Sequence, residues 1–229
     1  RQIMSSMGVL DILGPIMIGP SSSHTAGAAR LGKVARTIAG DEVAEVTFLL
    51  HGSFGKTYKG HGTDRALVAG IMGMEPSDER LRDSLEIAKE KRIKITFKDV
   101  DLGDYHPNTV KFLMKLKNGK ECEVIGSSIG GGNIEINEIN GNEVKFTGAY
   151  STIITSHKDI PGTVAKVTNI LYDSKVNIAF LTLGRSQKGK DATMTFEVDS
   201  KISEDLIEEI KKVDGIKKVI LINKIEDGE

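Results

Sequence analysis

The chain has 229 residues, enough for two domains that each bury a core. It is 39% hydrophobic and 28% charged, the balance of a folded globular protein rather than a disordered one. With 31 Lys+Arg against 32 Asp+Glu the formal net charge is −1, so no basic excess draws it to nucleic acid or to an anionic membrane. One cysteine, Cys122, excludes an internal disulfide and leaves too few thiols for an iron–sulfur cluster or a cysteine-based zinc site. Its expected place is that of a small buried hydrophobe.

In chain order, Val9–Leu13 reads as a short strand, and Gly14-Pro15 and Gly19-Pro20 as turns. Ser21-Ser22-Ser23 can cap a helix whose apolar stripe is Leu31, Val34, Ala35 and Ile38 and which Gly40 closes. Residues 45–50 read as a strand and 51–62 as a loop. Thr63-Asp64 is expected to cap the next helix, and one further helix is expected over 78–91. A strand at 93–97 is followed by hairpins marked by Asn118-Gly119 and Asn140-Gly141. Apolar runs break within about ten residues, short of the ~20 that span a bilayer, so no membrane is expected. The start lacks the pattern of a secretory signal, and the cytoplasm is the expected compartment.

From about residue 148 the rhythm changes. Residues 149–156 read as a strand, and Pro161 as the start of a helix with Val164, Val167, Ile170 and Leu171 on one stripe. Strands at 176–183 and 192–198, a helix opened by Ser203 and a strand at 216–222 complete a βαββαβ order. That is the ferredoxin-like arrangement. The expected fold is therefore α+β in two domains, 1–147 and 148–229.

Four polar clusters fall in the first domain. Ser21-Ser22-Ser23-His24-Thr25 precedes a helix, where free N–H groups and the dipole favour an anion such as a carboxylate. One serine suffices for a cap, so the excess points to function, the alternative being a surface histidine. Gly60-His61-Gly62-Thr63-Asp64 repeats the arrangement, with a histidine able to act as a base near neutrality. His106-Pro107-Asn108-Thr109 is either a carboxylate-binding turn or a plain one. Ser127-Ser128-Ile129-Gly130-Gly131-Gly132 is either a backbone nest or a hairpin tip. Gly55-Lys56-Thr57 is no phosphate loop, because the Gly required five positions earlier is Leu50.

Taken together the four clusters resemble the β chain of the two-chain, iron–sulfur-dependent L-serine dehydratases. Asp159-Ile160-Pro161-Gly162 and Val176-Asn177-Ile178-Ala179 resemble an ACT domain. The first domain resembles the allosteric substrate-binding domain of some 3-phosphoglycerate dehydrogenases. The resemblance implies conversion of L-serine to pyruvate and ammonia without pyridoxal phosphate. It also implies a [4Fe–4S] cluster ligated by a separate α subunit, with no metal held in this chain. His61, then His24, would be the base. Ser22, Ser23, Thr25, Thr63, His106, Asn108 and Thr109 would bind substrate. His157, Asp159 and Asn177 would bind an amino acid in the ACT half, which would pair with a second copy. The competing readings are a non-catalytic serine sensor and a scaffold that only dimerises. A sensor has no need of a proton-abstracting histidine.

Overall fold

The structure is a computed structural model that describes residues 23–185 and 190–224. The expected strand at 9–13, together with Ser21 and Ser22, lies outside the described residues. A π-helical turn, Ser23–Gly27, leads into α1 (Ala28–Ala39). Gly40 ends α1 in the left-handed region at φ 82°, its N–H donating to the Arg36 carbonyl. At the other end the expected serine cap is replaced. Gly27 holds the cap position in helical geometry, without a side-chain bond, because the π turn already supplies preceding helical carbonyls.

Strand β1 (Val43–Gly52) is followed by a short helix, α2 (Ser53–Thr57), inside the segment expected to be loop. Gly52 makes the turn at φ 61°, ψ −130°, and a Cβ there would lie 2.4 Å from the Pro107 carbonyl oxygen. Only glycine fits that conformation and that space. Helix α3 (Thr63–Ile71) begins after Gly62 at φ 75°. Neither Thr63 nor Asp64 caps it: Thr63 turns its hydroxyl elsewhere, and an Asp64 carboxylate oxygen accepts the Arg65 N–H. The single helix expected over 78–91 is instead a 3-10 turn (Glu79–Asp83) and then α4 (Ser84–Glu90). Asp78 caps the turn by accepting the Arg80 N–H.

Five more strands complete the first sheet: β2 (Lys94–Asp99), β3 (Asn108–Leu116), β4 (Glu121–Gly130), β5 (Asn133–Ile139) and β6 (Asn142–Phe146). Their order is β2-β1-β3-β4-β5-β6, with β1 and β2 parallel and the other pairs antiparallel. Asn140 and Gly141 both take positive φ, 50° and 81°, as a two-residue hairpin turn requires. Alternate residues of β1 and β3 (Val46, Phe48 and Leu50; Val110, Phe112 and Met114) form one buried core with α1 and α3. The two helices cross almost in backbone contact. A Cβ on Gly70 would lie 2.2 Å from the Ala29 carbonyl oxygen, and one on Gly32 2.6 Å from that of Leu67.

The second sheet holds β7 (Ser151–Lys158), β8 (Ile178–Arg185), β9 (Asp191–Val198) and β10 (Ile216–Ile222). Its order is β10-β7-β9-β8, all neighbours antiparallel, as a βαββαβ chain requires. Helices α5 (Thr163–Asp173) and α6 (Glu204–Lys211) cover one face through Val167, Leu171, Leu206, Ile207 and Ile210. Ser203 caps α6 as expected, accepting the Leu206 N–H at 3.2 Å. Pro161 does not open α5. Gly162, at φ 94°, holds the cap position, and the helix starts one residue later. Ile154 and Ile222, on the other face, join the core of the first domain. Across this junction the buried Glu197 carboxylate accepts the Thr147 N–H at 3.0 Å.

Candidate active site

The π turn and the start of α3 bring two of the four clusters into contact. The His24 ring lies 4.9 Å from that of His61, centroid to centroid, tilted by 60°. His24 Nδ1 is 3.2 Å from the Thr63 hydroxyl. His24 is 8% exposed, Thr25 2% and Thr63 0%. Burial, and secondarily the neighbouring His61, pushes the His24 pKa below its ordinary value, which favours the neutral ring. Among the described residues, His61 Nδ1 and the Thr25 hydroxyl are buried here without a hydrogen-bond partner. Unpaired buried polar atoms are costly, which is why they mark places where a ligand completes the bonding.

Sequence reasoning missed two contributors, both on α2. Phe54, fully buried, sets its ring edge-on to His24 with centroids 5.1 Å apart. Ser53 hydrogen-bonds the Asn108 side-chain carbonyl, and its N–H donates to the Pro107 carbonyl at 2.9 Å. Helix α2 thereby ties the third cluster to the histidines. The available signal was Phe54 with Tyr58 four residues on, an apolar pair within a polar run.

The third cluster is divided by the sheet. Asn108 alternates with Val110 and Phe112 and lies on the face covered by helices. Thr109 lies on the opposite face. Its hydroxyl donates to the His106 carbonyl at 2.6 Å and lies 2.7 Å from the Ser127 hydroxyl. Ser127 in turn bonds Asn137 at 3.2 Å. His106 is exposed, its Nδ1 accepting the Asn108 N–H at 3.0 Å. The structure thus gathers His24, Thr25, His61 and Thr63, links Asn108 to them, and leaves Thr109 and His106 apart. Ser23 begins the π turn, and Ser22 lies outside the described residues. The fourth cluster is a hairpin tip, Gly130–Gly132 taking φ 104°, 62° and 80°, pinned to α1 by Arg30 donating to the Gly132 carbonyl at 2.8 Å.

In the second domain, His157 and Asp159 lie at one end of the sheet and Asn177 at the other. His157 pairs with Ala192 on β9, whereas Ile178, next to Asn177, pairs with Val198. Six residues of strand separate them by about 20 Å. His157 is 2% exposed, its Nδ1 has no partner among the described residues, and burial lowers its pKa against the opposing pull of Asp159. Asp159 lies 3.4 Å from Arg185, and Asn177 donates to Asp199 at 2.8 Å. Among the described residues no three His, Cys, Asp or Glu side chains come together to hold a metal ion. Cys122 is buried in β4, where desolvation raises its pKa. The donor set of this chain does not fit an iron–sulfur cluster.

Fold and site define a histidine-bearing α+β domain joined to an ACT-type βαββαβ domain. The chain belongs to the serine dehydratase beta chain family, whose model matches residues 8–139, while the ACT domain model matches residues 151–215. It is 43% identical over 224 residues to the probable L-serine dehydratase, beta chain, of Bacillus subtilis, covering 98% of this chain and 100% of that one. It is 45% identical over 204 residues to the L-serine dehydratase, beta chain, of Peptoniphilus asaccharolyticus, covering 89% and 92%. A D-3-phosphoglycerate dehydrogenase of Methanocaldococcus jannaschii is 28% identical over 197 residues, 86% of this chain and 37% of that protein.

Proposed function

We propose that this chain is the β subunit of an L-serine dehydratase that converts L-serine to pyruvate and ammonia in the cytoplasm. One observation carries the reading. In a chain 43–45% identical to such β chains, two histidines and two threonines from separate sequence clusters meet at two helix starts, with unpaired buried polar atoms among them. Elimination from serine removes a proton from Cα, and the histidine pair is the chain's means of taking it. The Thr25 hydroxyl and Asn108 suit the substrate carboxylate. The [4Fe–4S] cluster belongs to the α chain, since the thiol needed to hold one is present here only once and is buried. The active site is therefore shared between the two chains.

The ACT half binds an amino acid between two copies of the chain. Strand β8 is a sheet edge with exposed Phe180, Leu181 and Leu183. An antiparallel two-fold pairing of β8 with its copy brings Asn177 of one chain to the Arg185 end of the other, where His157 and Asp159 lie. That arrangement also covers an otherwise exposed edge. The test is anaerobic co-expression with the cysteine-bearing α chain and a pyruvate assay on L-serine. Turnover by the pair and none by either chain alone is the expected result. Deamination of serine by this chain unaided would overturn the reading.

A further inference from the structure

Thr63 is fully buried at the first position of α3, and among the described residues its hydroxyl has one partner, His24 Nδ1 at 3.2 Å. A hydroxyl has one proton to place. With no carbonyl or carboxylate oxygen bonded to it, that proton goes to the imidazole nitrogen. Nδ1 of His24 is then the bare acceptor, and Nε2 carries the ring proton. Phe54, edge-on at 73°, holds the ring in that orientation. His61 is placed differently. Its Nδ1 is buried with no partner among the described residues, and its backbone N–H is tied to the Thr57 carbonyl at 3.1 Å. A buried N–H without a partner is rarer than a buried bare acceptor, so the lone pair belongs on Nδ1.

We infer that Thr63 is a positioning residue that divides the work of the two histidines: it locks His24 as a hydrogen-bond donor through Nε2–H and leaves Nδ1 of His61 to take the substrate proton. This rests on the dehydratase reading and deepens it. In the step so assigned, the Cα–H bond breaks and its proton moves to His61 Nδ1. The electron pair becomes the Cα–Cβ π bond, and the Cβ–O bond breaks with its pair on the departing oxygen. No oxidant or reductant is needed. A donor at His24 serves the substrate's oxygens, which a bare nitrogen there could not.

The test uses the full chain labelled with 15N-histidine and read by two-bond proton–nitrogen correlation. The expected His24 pattern is protonated Nε2 and bare Nδ1. Thr63→Val should scramble that pattern and Thr63→Ser restore it. In the two-chain enzyme Thr63→Val should lower kcat about tenfold, the loss expected for one hydrogen bond, with KM changed less than about twofold, and Thr63→Ser should recover the rate. A wild-type spectrum with Nδ1 of His24 protonated overturns the assignment even if Thr63→Val fails to fold. So does a folded Thr63→Val chain with an unchanged His24 pattern. If the spectra agree but the wild-type pair makes no pyruvate, the catalytic division falls with the dehydratase reading while the tautomer of His24 stands.

Discussion

The crossing of α1 and α3 sets the distance between the two histidines, and Gly70→Ala tests how firmly. The added Cβ would meet the Ala29 carbonyl oxygen at 2.2 Å and the Gly32 Cα and Lys33 N at 2.8 Å each. All three are backbone atoms, so no rotamer can relieve the clash. Ordinary contact begins near 3.4 Å, and the helices would have to part by about 1.2 Å. Overpacking of this kind costs roughly 3 kcal/mol at its upper range, and Ala offsets about 1 kcal/mol of that by its better helix propensity. The net loss is about 2 kcal/mol, or roughly 4–8 °C in Tm for a chain of this size. Thermal melts followed by circular dichroism supply the measurement. Gly60→Ala is the control, since its Cβ meets nothing nearer than the Thr57 carbonyl oxygen at 3.9 Å. The parting would also stretch the bond from His24 to Thr63, so activity of the assembled enzyme should fall with stability. A Gly70→Ala chain that melts at or above the parent temperature would refute the reasoning.

Burial lowers the pKa of both His24 and His157, so the unfolded chain takes up protons there before the folded chain does. Their contribution to stability is present above the unperturbed value of roughly 6.5 and is lost as pH falls below it toward the folded values. Urea midpoints should therefore drop between about pH 7.5 and pH 5.5, and His157→Gln should flatten that slope. Ser203→Ala removes the cap of α6 and should cost about 1 kcal/mol in the same denaturation assay, while Ser203→Asp should keep most of it. Cys122→Ala should cost about 1 kcal/mol for the lost buried volume and leave pyruvate formation by the reconstituted pair within about twofold, because the buried thiol takes no part in the chemistry. Asp159→Asn breaks the contact with a half-exposed Arg185, a pair worth at most about 1 kcal/mol, so the loss of that pair should move Tm little. Any change should appear instead in the heat of L-serine binding by calorimetry.

Much of this fold is legible because short-range signals and long-range packing agree. Asn140-Gly141 forces one turn conformation, Ser203 has a helix to cap, and the spacing of Val167 and Leu171 matches a buried stripe. Helix α2 was illegible for a physical reason. Five residues cannot form a stable helix from propensity, so the surrounding contacts at Gly52, Gly55 and Phe54 make it rather than its own sequence. The caps of α1, α3 and α5 differ from those the sequence suggests for a shared reason. Each helix begins at a glycine, two of them in the left-handed region, and Thr63 and Asp159, polar residues beside two of these starts, are engaged by His24 and Arg185 instead.

The division of the His106–Thr109 cluster was, by contrast, available from the sequence and is a matter of period. Residues adjacent on a strand point to opposite faces, so Asn108 and Thr109 cannot both attend one ligand once β3 is a strand. The same rule assigns Ser127 and Ser128 to opposite faces of β4, with Ser127 bonded to Thr109 and Ser128 fully buried toward the helices. Polar residues on the far face form a chain from the His106 carbonyl through Thr109 and Ser127 to Asn137 and Glu135. That chain fixes the turn from which Asn108 reaches Ser53, and Ser53 begins the helix that seats Phe54 against His24. The motif residues therefore act in two ranks. Some lie with the two histidines at the helix starts, and others hold the sheet end against which the histidines are packed. A Thr109→Val change should thus act on the geometry of Asn108 and not as the loss of a substrate contact, which separates the two ranks by experiment.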